Sequence, residues 1–239
     1  MPDHTKPTVL LVHGAFAEAA SWNGVIERLA GEQLDVIAVA NPLRSLAGDA
    51  QYLSDVIDGV GRPVLLVAHS YGGMVMTEAA AGHEEVKGLV YVDAFAPATG
   101  ESAFQLSLKF PGSTLGDALA AYPVSTGGNE FTIRRDVFRH QFCADVSEAE
   151  AALMAATQRP VTEAALSTAL AADEPAWQSI PSWFVYSDAD LNIPVALHRW
   201  MATRAGAKTA REIAGASHAL SVSQPQAVAE TILEAVSAV

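Results

Sequence analysis

Six short apolar runs recur along the chain, at residues 9–12, 36–40, 64–68, 89–92, 183–186 and, more weakly, 210–213. Each is continuous rather than alternating. Strands buried on both faces read that way, as in a parallel sheet covered by helices. Between the runs the period changes. Trp22, Val25, Ile26 and Leu29 follow the i, i+3, i+4, i+7 spacing of one helix face. Leu53, Val56, Ile57 and Val60 repeat it, and Val228, Ile232 and Val236 draw a stripe on a last helix. Strand and helix in alternation predict an α/β fold: a doubly wound, mostly parallel six-stranded sheet.

The alternation stops between about residues 94 and 180. Five prolines (Pro97, Pro111, Pro123, Pro160, Pro175) and the Gly127-Gly128 pair interrupt this stretch, and residues 146–172 are Ala-rich. A structureless loop of that length is improbable in a compact domain. The expected organisation is therefore a core of residues 1–93 and 181–239, with a small, mostly helical cap inserted at 94–180.

Composition narrows the class. The 239 residues are 50% hydrophobic and only 17% charged, which excludes a disordered chain. No apolar stretch approaches the roughly 18 residues of a membrane span, and the apolar run near the N-terminus is too short for a signal-peptide core. Fourteen basic against 27 acidic residues give a net charge of −13, the opposite of a nucleic-acid-binding footprint. A single cysteine, Cys143, cannot form an internal disulfide and suits a reducing, cytoplasmic setting. A monomer or homodimer acting on a small molecule is expected.

Chemistry enters at Val67-Ala68-His69-Ser70-Tyr71-Gly72-Gly73. The segment follows a buried run and precedes a helix-like stretch at 74–81. A nucleophilic serine on a sharp strand-to-helix turn needs small residues two positions either side, the G-x-S-x-G elbow. Ala68 stands at the first small position and Gly72 at the second. Such a turn lifts the hydroxyl off the sheet and sets a helix N-terminus beneath the reacting centre. His13-Gly14-Ala15-Phe16, directly after the first run, offers a backbone N–H that can meet the N–H of Tyr71 in an oxyanion hole. In one protease, removing such a donor cost about 3–4 kcal/mol.

A serine also needs a base and an acid that orients it. Of seven histidines, His4 is near the terminus, His13 and His69 belong to the motifs above, His83 ends a helix, His140 lies in the insertion, and His198 sits on an amphipathic helix. His218, in Gly215-Ala216-Ser217-His218-Ala219, follows the last run and has the right place in the order Ser, acid, His. Among acids, Asp190 is the first candidate, Asp188 the second, and Asp93, at the end of the fourth run, the third.

Together these motifs resemble the α/β-hydrolase superfamily, and within it the small plant-type methylesterases and hydroxynitrile lyases with their compact bacterial relatives. The resemblance covers nearly the whole chain. It implies a Ser70–Asp190–His218 triad, since Asp190 stands 28 residues before His218 as in that branch. It also implies oxyanion donation by the amides of Ala15 and Tyr71. It departs from the lyases at Gly14 and Ala219, where they carry a Thr and a Lys that handle cyanohydrin and cyanide. The expected activity is hydrolysis of small, largely apolar carboxylic esters through an acyl-enzyme, with no metal or organic cofactor. Phe16, Tyr71, Phe95, Phe104, Leu191 and Ile193 are candidates for the pocket. The same motifs also serve lyase, thioesterase, lactonase, carbamate, C–C bond and perhydrolysis chemistry, or a hydrolase-like ligand receptor.

Overall fold

The computed structural model describes residues 6–239, so His4 lies outside the described residues. In chain order the strands are β1 (Thr8–Val12), β2 (Val36–Val39), β3 (Val64–His69), β4 (Val86–Val92), β5 (Leu119–Pro123), β6 (Asn129–Ile133), β7 (Val161–Thr162), β8 (Ser182–Ser187) and β9 (Thr209–Ile213). The α-helices are α1 (Asn23–Leu29), α2 (Leu46–Val60), α3 (Gly72–Ala79), α4 (Ala103–Ser107), α5 (Leu115–Ala118), α6 (Phe138–Phe142), α7 (Glu148–Thr157), α8 (Glu163–Ser167), α9 (Val195–Arg204), α10 (Leu220–Ser223) and α11 (Pro225–Ala238). None among the described residues is long and apolar enough to cross a membrane.

The six apolar runs form one parallel sheet in the order β2-β1-β3-β4-β8-β9. The inner strands β1 and β3 are buried at every position, while edge strand β9 is not. That burial explains the continuous runs. Alternate residues still sort by face. Val9, Leu11, Leu65, Val67, Val90 and Trp183 pack beneath α1 and α11. Leu10, Val12, Leu66, Ala68, Leu89, Tyr91 and Phe184 face α2, α3 and α9. The chain steps from β1 out to β2, then back across to β3 and onward to β9. The order reverses between β1 and β3, and the crevice beyond their C-terminal ends is where open α/β sheets hold ligands.

Residues 94–180 lie between β4 and β8. Their helices are short, and beside them sits an antiparallel sheet, β5-β6-β7, which the helical reading of the sequence leaves out. The glycines at 127 and 128 have φ of 94° and 75° and turn β5 into β6; only glycine takes such angles without strain. Pro160 stands between α7 and β7, and the Ala-rich stretch holds two helices, α7 and α8. Phe138, Phe142, Val161 and Ala165 of this insertion are buried in the same apolar cluster as α2 and α3. The insertion therefore shares the core of the sheet.

Candidate active site

Ser70 occupies the turn from β3 into α3, with φ of +54°. A left-handed backbone is strained for a non-glycine residue, by about 1–3 kcal/mol, and persists only where the surroundings over-determine it. Here they do. The Ser70 carbonyl accepts from Gly73 N (3.0 Å) and Phe95 N (3.2 Å), and its own N–H donates to Val92 O (3.4 Å). Close approach does the rest. A Cβ at Gly73 would lie 2.1 Å from the Phe95 carbonyl oxygen, one at Gly72 2.7 Å from Val12 O, and one at Gly14 2.5 Å from Ser70 Cβ. Glycine is thus required at 72 and 73, after the serine, and at 14, which packs against it.

The amides of Ala15 and Tyr71 donate to no carbonyl or side chain among the described residues, although both residues are buried. Both line the cavity that Ser70 faces. The next amide, Phe16 N, donates to Arg159 O (3.2 Å) in the insertion, and Phe16 itself has φ of +59°. Two buried amides without a partner thus share one cavity with the Ser70 hydroxyl. The Tyr71 ring is fixed separately, its hydroxyl donating to Asp49 Oδ2 (3.0 Å).

His218 Nδ1 and Asp190 Oδ2 are 2.7 Å apart, both side chains buried. Since ionised carboxylates only accept, Nδ1 is the donor; in the neutral ring Nε2 then carries the lone pair. Asp190 Oδ1 accepts from Asn192 N (2.7 Å) and Ile193 N (3.0 Å). Burial works against its charge. The opposing His218 and the hydrogen bonds from His198 and His218 outweigh that and hold Asp190 well below the ordinary carboxylate range. The other two candidate acids are occupied elsewhere. Asp188 is exposed and accepts from Gly215 N (2.6 Å). Asp93 accepts from Ser187 N and Oγ, both at 2.7 Å. Ser70 Oγ has no hydrogen-bond partner among the described residues, but Ser70 and His218 line the same cavity.

That cavity measures about 220 Å3 and is lined mostly by apolar side chains. For scale, an engineered apolar cavity of about 150 Å3 admits benzene. Of the residues expected to line the pocket, Phe16, Tyr71, Phe95, Phe104 and Ile193 do so. Leu191 does not. It is half-buried, and its carbonyl accepts from Thr114 N (2.9 Å) and Gln141 Nε2 (2.9 Å), tying the acid loop to the insertion. Phe104 is 59% exposed and stands at the rim. Asp93, Asp190 and His218 offer three ligand atoms within 4.8 Å of one another. Asp190 and His218 are hydrogen-bonded to each other there, and Asp93 to Ser187.

Residues 9–231 match the alpha/beta hydrolase family. The chain belongs to that family. Across its length it is similar to the alpha/beta hydrolase nvfD of Aspergillus novofumigatus, at 26% identity over 96% of each chain. Among solved structures it is similar to polyneuridine aldehyde esterase, with a TM-score of 0.81, 21% identity and coverage of 96% of this chain and 98% of that one. The Arabidopsis methylesterase MES16 gives a TM-score of 0.82 at 16% identity, with coverage of 98% and 100%.

Three features of this alpha/beta hydrolase were not legible as site residues. His69 Nε2 donates to the carbonyl of His218 (2.9 Å), and the two rings lie 4.7 Å apart. Burial, and secondarily the neighbouring His218, press its pKa down to about 3. Phe142, from the insertion, meets the His218 ring edge-on at 5.1 Å. His198 approaches Asp190 Oδ2 at 3.3 Å and Asp93 Oδ1 at 3.6 Å. Asp93 is pushed well above the usual carboxylate range by burial and then by the charge of Asp190. The signal for His198 was an aromatic polar residue on the buried stripe of a helix, a pattern that packing alone also produces.

Proposed function

We propose that this protein is a serine-dependent carboxylic ester hydrolase acting on small, largely apolar esters. One observation carries the reading. His218, bonded to Asp190 at 2.7 Å, borders the same cavity as a serine held at φ +54° and two free amides. The names of the similar proteins, an aldehyde esterase and a methylesterase, support the same chemistry.

In the first half-reaction His218 Nε2 takes the Ser70 proton as Ser70 Oγ attacks the ester carbonyl. Asp190 stabilises the imidazolium that forms, and the Ala15 and Tyr71 amides hold the oxyanion. Collapse breaks the C–O bond, and His218 returns the proton to the leaving alcohol. Water then attacks the acyl-Ser70 ester, giving its proton to His218; collapse breaks the acyl–Oγ bond, His218 returns the proton to Ser70 Oγ, and the carboxylic acid departs. Gly14 favours this over cyanohydrin cleavage. A Cβ there would collide with Ser70 Cβ, so no threonine can stand beside the serine.

The test is hydrolysis of p-nitrophenyl esters from acetate to octanoate by wild type and Ser70→Ala. The expected result is turnover of short esters, with kcat reduced at least about 10⁴-fold in Ser70→Ala. Undiminished turnover in a pure Ser70→Ala preparation would contradict the scheme.

A further inference from the structure

Asp190 is saturated. An ionised carboxylate offers about four lone-pair sites. Oδ1 receives the amides of Asn192 and Ile193, and Oδ2 receives both His218 Nδ1 (2.7 Å) and His198 Nε2 (3.3 Å). His198 comes from the buried side of α9, where Leu197, Met201 and Ala202 are also buried. Its ring stacks on Tyr186 of β8, with centroids 5.3 Å apart and planes 10° from parallel. Across Nε2 stands a second carboxylate, Asp93, at 3.6 Å. The other ring nitrogen, Nδ1, is buried and has no partner among the described residues. A charged imidazolium carries a proton on both nitrogens and would strand one N–H without an acceptor. The ring with its single proton on Nε2 strands no N–H and leaves only a lone pair unpaired.

We propose that His198 is a positioning residue of this site. Its neutral Nε2–H holds Asp190 in the orientation that His218 requires and stands between the two buried carboxylates, Asp190 and Asp93. The proposal rests on the reading of Asp190 as the partner of the catalytic base. The titratable groups around His198 are Asp190, on the loop after β8; Asp93, at the end of β4; His218, on the loop after β9; and Tyr186, in β8. Asp145 of the insertion acts on Asp93 from further out. Removing the His198 donor concentrates charge on Asp190 Oδ2. That favours the imidazolium form of His218. A protonated His218 cannot act as the base, so the acid limb of the activity profile moves upward.

The experiment compares His198→Leu and His198→Gln with wild type on a short p-nitrophenyl ester from pH 4.5 to 9. The leucine variant fills similar space without a donor. It is expected to lose about tenfold in kcat, with the acid limb of kcat/KM raised by about one pH unit. The glutamine amide can place an N–H where Nε2–H stands. It is expected to keep kcat within about threefold and the limb in place. A purely packing role would lower the Tm of both variants and leave both profiles unmoved. An unshifted limb in His198→Leu, or a glutamine variant as impaired as the leucine one, overturns the proposal. Imidazole nitrogen NMR on wild type tests it without any variant. A neutral ring protonated on Nε2 supports it, and a charged or Nδ1-protonated ring refutes it. Ser70→Ala separates the two layers. Persistent hydrolysis there removes the serine mechanism, while the NMR result still decides the state of His198.

Discussion

The floor and the roof of the cavity are built by different physics. The floor is backbone. Ser70, Gly14, Gly72 and Gly73 sit where β1 and β3 end, and their positions are fixed by main-chain contacts so close that a single Cβ would collide. The roof is the insertion, held down by side chains. Gln141 ties Leu191 and Asn192, Asp145 bonds Ser217, and Arg44 pairs with Glu130 of β6 and with the carbonyl of Pro160. Main-chain packing admits no gradual change, whereas side-chain ties can be exchanged one at a time. The proposed nucleophile lies on the first kind of structure, and the rim of the cavity on the second. The same family scaffold can therefore keep its chemistry while its pocket varies.

Variants on the two sides should break differently. Beside the floor, on the loop after β8, Asp190→Asn should cost most, about 10⁴-fold in kcat with KM little changed, by analogy with the measured loss in a serine protease triad. Steady-state kinetics on p-nitrophenyl acetate would check it. Gly73→Ala comes next. In a helix, alanine normally gains about 1 kcal/mol over glycine, but here the new Cβ would sit 2.1 Å from a carbonyl oxygen. The clash should win, lowering stability by about 3 kcal/mol in urea unfolding.

A smaller effect concerns pH. His69 is fully buried, and its folded pKa of about 3 lies below the ordinary value of 6.5. The unfolded state therefore binds a proton that the folded state refuses. Stability should fall as pH drops from about 6.5 toward 3, by on the order of 1 kcal/mol per unit. His69→Gln, which can still donate to His218 O, should flatten that slope in urea midpoints between pH 7 and 4.5. Smallest is Phe104→Ala at the exposed rim. It should leave kcat on acetate alone, shift KM for longer esters about threefold, and change stability by less than about 0.5 kcal/mol.

The floor was also the part the sequence displayed best. Strands buried on both faces leave unbroken apolar runs, and the crowded elbow leaves a serine among small residues. Each is a local consequence of local packing. His218 and Asp190 needed chain order and family resemblance, because a loop histidine and a strand-end acid have many commoner uses. The roof was harder to read. Leu119-Ala120-Ala121-Tyr122 has no β-branched residue to mark β5, and the pairing that makes it a strand comes from residues 129–133 across a turn. Leu191 is an apolar residue expected in the pocket, yet what it contributes is its carbonyl. His198 was hidden because its partners, Asp93 and Asp190, are more than 100 and 8 residues away in sequence.

The central claim is that Ser70 carries the acyl group. Treating the enzyme with diethyl p-nitrophenyl phosphate and reading intact and peptide mass tests it directly. The serine attacks phosphorus, p-nitrophenolate leaves, and a stable diethylphosphoryl ester remains. One label per chain, on the peptide containing Ser70, with loss of ester hydrolysis in step with labelling, is the predicted result. Hydrolysis that survives full labelling of Ser70, or inactivation with the label on another residue, would contradict it.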